Sequence, residues 1–179
     1  IIGIAAFQGC TSLSGITIPD SVTSIGMWAF SSCSSLTNIN IPDSVTSIGA
    51  SAFEKCNSLK SVKLPSNLTI ISDSTFYEFT DLNSVTIPDS VSSIGKQAFK
   101  FCPSLISITI PDSVSTIDDN AFQECTSLQS ITIPDSVTSI GDSVFDLCRS
   151  LQVIVIEGTP SIVGGISTLP NSPPESRVV

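Results

Sequence analysis

The chain has 179 residues, 41 % of them hydrophobic, and carries seven Lys and Arg against sixteen Asp and Glu, a net charge of −9. That balance excludes sequence-independent nucleic-acid binding, which needs basic side chains to neutralise phosphates, and docking on anionic lipid. Only 13 % of residues are charged, about half the usual share, so solubility rests largely on hydroxyls, and no apolar run approaches the ~20 residues of a membrane-spanning helix.

The chain opens on Ile1-Ile2-Gly3, already inside a repeat, because Ile2 shares a column with Ile25, Ile48 and Ile94. A stack of repeats ordinarily starts with a polar cap. The sequence therefore reads as a piece of a longer protein, and the lack of an opening signal segment carries no weight. Phenylalanine then recurs every 23 residues, at Phe7, Phe30, Phe53, Phe76, Phe99, Phe122 and Phe145. The same interval generates the columns Leu13 to Leu151, Ile16 to Ile154 and Ile18 to Ile156 without insertion or deletion. A fixed period of this size means a solenoid, each coil contacting mainly the coil before and the coil after.

Residues 105–125 show one coil in order. Ile108 and Ile110 alternate with outward Ser107 and Thr109, the pattern of a half-buried strand. Pro111 closes that strand because it offers no N–H. Asp112 and Ser113 are expected to turn the chain, their short side chains holding nearby backbone amides. Val114 and Ile117 predict a second, shorter strand. Glycine follows in most coils (Gly26, Gly49, Gly95, Gly141), suited to a backbone with φ > 0. Ala121-Phe122 with Cys125 has apolar spacings of three and four, which predicts one helical turn whose Phe plugs the core.

The period breaks at Glu157-Gly158-Thr159-Pro160. Beyond it Ile162, Val163 and Ile166 are expected to fold back as a cap, and Pro170 to Ser176 to form an extended linker. The layout is then a solenoid over residues 1–163, with coils starting near 3, 26, 49, 72, 95, 118 and 141. A cap remnant and a Pro/Ser-rich tail occupy 164–179.

The string Ile-Pro-Asp-Ser-Val-Thr-Ser-Ile-Gly-x-x-Ala-Phe-x-x-Cys-x-Ser-Leu-x-x-Ile-Thr-Ile stands nearly unaltered at 18–41, 41–64, 87–110 and 110–133. It resembles the BspA-like, or Treponema-type, leucine-rich repeat, and the period falls in the ~20–29 residues of such repeats. The resemblance covers residues 2–156. It implies an α/β solenoid, a right-handed stack of about seven 23-residue coils. A parallel sheet forms one face, and short strands and helical turns form the others. It also implies a surface-exposed protein of a bacterium or protist that adheres to host or matrix proteins.

Cys10, Cys33, Cys56, Cys102, Cys125 and Cys148 form one column of the repeat, so neighbouring thiols come near disulfide distance. Phe79 takes that place in the fourth coil, which marks the column as an apolar slot for buried free thiols. Disulfides stand second and a metal third, because Cys-x2–4-Cys spacing is missing. The Phe and Cys columns are both assigned to the core. The sequence has no histidine, the commonest metal ligand and general base, no Gly-rich phosphate loop, and no base beside any serine. No enzyme is expected, and no catalytic, cofactor-binding or metal site. The column Asp20, Asp43, Asp89, Asp112 and Asp135 admits two readings: a strip for a divalent cation, or caps for the individual Pro-Asp-Ser-Val turns. The sequon Asn67-Leu68-Thr69 lies in a turn and matters only in a secreting eukaryote.

Two outward columns of the main strand, expected on the inner curve, offer Asn38, Asn40, Lys63, Thr86, Thr109 and Thr132. These small polar side chains suit either plain solvation or weak multi-point contact with a protein or a glycan. Lys55, Lys60 and Lys63 crowd into one coil as a basic spot or a chance cluster. Ile4, Met27 and Trp28 make an apolar patch at the N-terminal end, of the kind that marks interfaces or that an upstream segment covers. Val153 and Val155 break the polar pattern at the other end. The expected function is a non-catalytic protein-interaction or adhesion module of a larger protein, at the cell surface or secreted. The alternative is a rigid architectural subunit inside an intracellular assembly. Neither a nucleic-acid partner nor membrane insertion is expected.

Overall fold

The computed structural model describes residues 1–157 and the backbone of Ser161–Ile162. β-Branched residues at alternate positions favour extended backbone. In every coil but the fifth they form a short main strand: Gly15–Thr17, Asn38–Asn40, Ser61–Lys63, Ser84–Thr86, Ser130–Ile133 and Val153–Ile156. Pairs of these run parallel, with Ile16 beside Ile39, Val62 beside Val85 and Ile131 beside Ile154. Side chains alternate across a strand, so Val62 is 3 % exposed while Ser61 and Lys63 lie in solvent. Two-residue strands after the Pro-Asp turns make a second side, also parallel, with Ile94 between Ile71 and Ile117. About six turns of parallel strand stack like on like, as the period predicts.

The third side corrects the expectation of helical turns, and with it the α/β class: the described residues contain no helix. The N–H groups of Ala29, Ser31 and Cys33 donate within their own coil, to the carbonyls of Gly26, Trp28 and Phe30. Those of Trp28, Phe30 and Ser32 instead donate to Ala50, Ala52 and Glu54 of the next coil. A helix would use its amides internally; here alternate amides tie coils together. The alternation requires two left-handed residues per coil, such as Trp28 (φ 54°) with Ser32 (φ 61°), and Gln97 with Phe101.

The glycines of the repeat serve a purpose other than the expected one. Gly26, Gly49, Gly95 and Gly141 are not left-handed. A Cβ on Gly49 would stand 2.5 Å from Met27 N, so close approach of the preceding coil is what excludes a side chain. Where Ser72 occupies this column, its hydroxyl donates to Ile48 O at 2.6 Å. In the next coil the amide of Gly95 makes the equivalent bond, to Ile71 O.

The three sides enclose the core. Rings from Phe7 to Phe145 form one continuous stack, with centroids 5.2 to 6.1 Å apart and planes within 12°. Phe79 fills the cysteine slot of the fourth coil edge-on to Phe76, at 5.6 Å and 88°. The thiols of Cys33, Cys56, Cys102, Cys125 and Cys148 each donate to a phenylalanine carbonyl of the preceding coil, at 3.0 to 3.2 Å. All six cysteines are free. Two core assignments are corrected: Phe7 is only partly buried and Cys10 is exposed, because the first coil has a neighbour on one side only.

At the other end Ile162 does not fold back as a cap. Ser161–Ile162 pairs parallel with Ser139–Ile140, one residue short of the regular step, and so continues the second side of the stack. Val163, Ile166, the 163/164 boundary and the Pro170–Ser176 stretch lie outside the described residues.

Candidate interaction surface

The Pro-Asp-Ser-Val turns are closed by main chain, as when Val114 N–H donates to Pro111 O at 3.0 Å. Their side chains do not hold the amides of their own turns, contrary to expectation. The Ser113 hydroxyl donates to Val91 O of the preceding coil at 2.7 Å, and Ser44, Ser90 and Ser136 make the same link. Asp43 accepts from the Ser66 N–H of the next coil at 2.8 Å, a bond that holds its carboxyl below the usual range. Asp20, Asp89, Asp112 and Asp135 stand exposed. Among the described residues no three His, Cys, Asp or Glu side chains gather as a metal site would require.

The main-strand side places Asn38, Asn40, Lys63, Thr86, Thr109 and Thr132 in solvent. Pairing puts Asn40 beside Thr17 and Thr86 beside Lys63. Ile4, Met27 and Trp28 are 70 %, 38 % and 42 % exposed and lie on the turn side, with Ala5 N–H donating to Met27 O. The two candidate sets therefore occupy different sides of the coil and do not merge into one site. The basic cluster is also split. Lys55 lies 3.7 and 3.6 Å from the carboxylates of Glu54 and Glu78, while Lys60 and Lys63 are exposed on the strand side. Asn67 is exposed and its Nδ2 donates to Asp43 O at 3.1 Å. Val153 is exposed and Val155 half-buried.

The fifth coil corrects the expectation of a main strand carrying Ile108 and Ile110. Among the described residues, Ser107–Ile110 makes no backbone hydrogen bond to the coil on either side and is not a strand. Beside it opens a groove of about 400 Å³ whose walls include Ser107, Thr109, Ser130 and Thr132, with Asp112 and Glu157 at its rim. Two departures from the repeat mark this coil. Pro103 stands where the other coils carry residues such as Thr80 and Thr126, and removes an N–H. Ile106, 51 % exposed, stands in a column otherwise filled by residues such as Thr37, Asn83 and Gln129.

A profile described as the BspA type leucine rich repeat region matches the chain in six copies, over residues 1–105 and 70–165. Among solved structures the chain is similar to the T. pallidum leucine rich repeat protein, at 34 % identity and a TM-score of 0.78, over 84 % of this chain and 71 % of that one. It is similar to a leucine-rich repeat protein from Bacteroides ovatus at 31 % identity and a TM-score of 0.71, over 92 % of this chain and 55 % of that one. A leucine rich cell surface protein from Faecalibacterium prausnitzii matches at 29 % identity and a TM-score of 0.56, over 86 % of this chain and 56 % of that one. The chain spans little more than half the length of the latter two. No curated protein sequence matches it.

Proposed function

This chain belongs to the BspA-type leucine-rich-repeat family, and on that footing we propose that its right-handed solenoid is a non-catalytic module of a larger surface or secreted protein. Its partner is another protein. Repeats of this family generally serve protein interaction, and a relative from Faecalibacterium is named as a cell surface protein.

The observation that carries the reading is the main-strand side. It presents Asn38, Asn40, Lys63, Thr86, Thr109 and Thr132 on a stack whose Phe column is buried from Phe30 onward. A surface held by such a core needs little ordering on contact, which removes one cost of association. Small polar groups repeated along it suit many weak contacts with a host or matrix protein, and admit a glycan as a second ligand. The exposed Ile4–Met27–Trp28 patch favours the other reading, a permanent subunit of an assembly, because aromatic and apolar anchors dominate stable interfaces.

The test is binding of the full chain to immobilised matrix proteins (a collagen, a laminin, a fibronectin) at physiological salt. The module reading expects binding that Asn40→Lys with Thr86→Lys weakens and Trp28→Ala does not. Weakening by Trp28→Ala alone moves the site to the apolar patch. No binding to any matrix protein refutes adhesion.

A further inference from the structure

We propose that the groove beside the fifth coil is a peptide site, taking a short extended segment that carries a lysine or arginine. The inference deepens the module reading by naming a partner chemistry for one place on its surface. Three observations converge there.

The first is backbone pairing. Every other main strand is hydrogen-bonded to at least one neighbour, whereas Ser107–Ile110 is bonded to neither. Backbone N–H and C=O groups are strong hydrogen-bonding groups that folded proteins rarely leave unmatched away from water. The fifth coil is tied to the sixth on both sides of this segment, by Gln129 N–H to Ile106 O and Thr138 N–H to Ser115 O, so a peptide reaches these groups from the solvent side, lying over the groove.

The second is size and shape. About 400 Å³ lies between the fifth and sixth coils, within the ~300–1,000 Å³ of small-ligand sites. That volume holds a few residues of extended chain rather than a folded surface. Hydroxyls from Ser107, Thr109, Ser130 and Thr132 supply donors and acceptors along the walls, and exposed Ile106 adjoins the strand as an apolar contact.

The third is charge. Asp112 and Glu157 line the groove, no Lys or Arg does, and among the described residues neither carboxylate forms an ion pair. Complementarity therefore selects a cation at one end of the bound segment. Contacts with the hydroxyls of the walls would hold any extended peptide; the carboxylates choose the basic one.

Amide hydrogen exchange on the full chain, read segment by segment, tests the proposal. The probe is acetyl-Lys-Thr-Lys-Thr-Lys-Thr-amide, with acetyl-Glu-Thr-Glu-Thr-Glu-Thr-amide as control. In the free protein the amides of Ser107–Ile110 should exchange faster than those of Ser130–Ile133. Millimolar Lys-Thr peptide should slow exchange at 107–110, and the Glu-Thr peptide should not. Asp112→Asn with Glu157→Gln should weaken the Lys-Thr peptide about 5-fold while leaving exchange in the Phe column unchanged. Equal exchange of the two strands in the free protein overturns the premise. Absence of protection by the Lys-Thr peptide, or equal protection by both peptides, overturns the proposal. Matrix binding measured as above stays unaffected by either failure, so the module reading stands or falls separately.

Discussion

Cys10 differs from the other five cysteines in one respect: it is exposed, while they are buried. Burial pushes the Cys33 and Cys125 thiols up and takes Cys56 to about 12, so none of these is ionised near neutrality. A thiolate is the reactive form. An aromatic disulfide reagent at pH ~8 should therefore modify one thiol of the native protein quickly and all six only after unfolding. Cys10→Ser should remove the fast phase; several fast thiols would contradict the burial of the column. Carboxylates behave in the opposite sense. The Asp142 N–H and then the Lys96 side chain hold the Asp119 carboxyl below its ordinary range, and the Ser66 N–H does the same for Asp43. A group lowered in the folded state contributes stability that is present above its unfolded value, about 3.9 for Asp, and is lost as pH falls through the folded value. With no histidine in the chain, the urea midpoint should be level from pH ~6 to ~8 and drop below pH ~4. The drop should be shallower for Asp119→Asn; a midpoint that rises on acidification would contradict these bonds.

The three segments of a coil were not equally legible. Both kinds of strand follow from alternation of apolar residues, and the structure places them at the expected positions except at Ser107–Ile110 of the fifth coil. The turn side did not, because Ala121, Phe122 and Cys125 have a spacing common to a helix and to a run of turns. What separates the two is the pair of left-handed residues, and positions such as Trp28, Gln97 and Phe101 are not types that advertise that conformation. The glycines misled for a related reason: Gly signals either φ > 0 or close approach, and only coordinates separate the two. Gly49→Ala should cost about 1–3 kcal/mol because the new Cβ meets backbone. Gly3→Ala, with nothing within 4 Å of its Cβ, should stay within about 0.5 kcal/mol. Equal effects in thermal unfolding would contradict the tight junction between coils. The unpaired fifth strand was hidden because Ser107, Ile108 and Thr109 match the repeat; the signal lay in Pro103 and Ile106.

At the scale of the molecule the period did most of the work. One core residue per column, repeated, specifies a stack, and stability becomes close to a sum over neighbouring coils. Phe99→Ala should then cost about 3–5 kcal/mol and raise hydrogen exchange in the coils of Phe76 and Phe122, which its ring touches. Thr109→Ala, on the exposed strand side, should cost less than about 0.5 kcal/mol. Similar costs would contradict the assignment of inside and outside. The candidate site was legible only as surface, since recognition depends on which outward residues converge and the repeat does not determine that.

Ring-to-ring nuclear Overhauser contacts in protein labelled only at phenylalanine test the stack most directly. The account predicts an unbroken chain of contacts from Phe7 through Phe30, Phe53, Phe76, Phe99 and Phe122 to Phe145, with Phe79 attached at Phe76 alone. Contacts that skip coils, or any ring of the Phe7-to-Phe145 column without a partner in the adjoining coil, would contradict it; Phe101, whose ring meets Tyr77, stands outside the column.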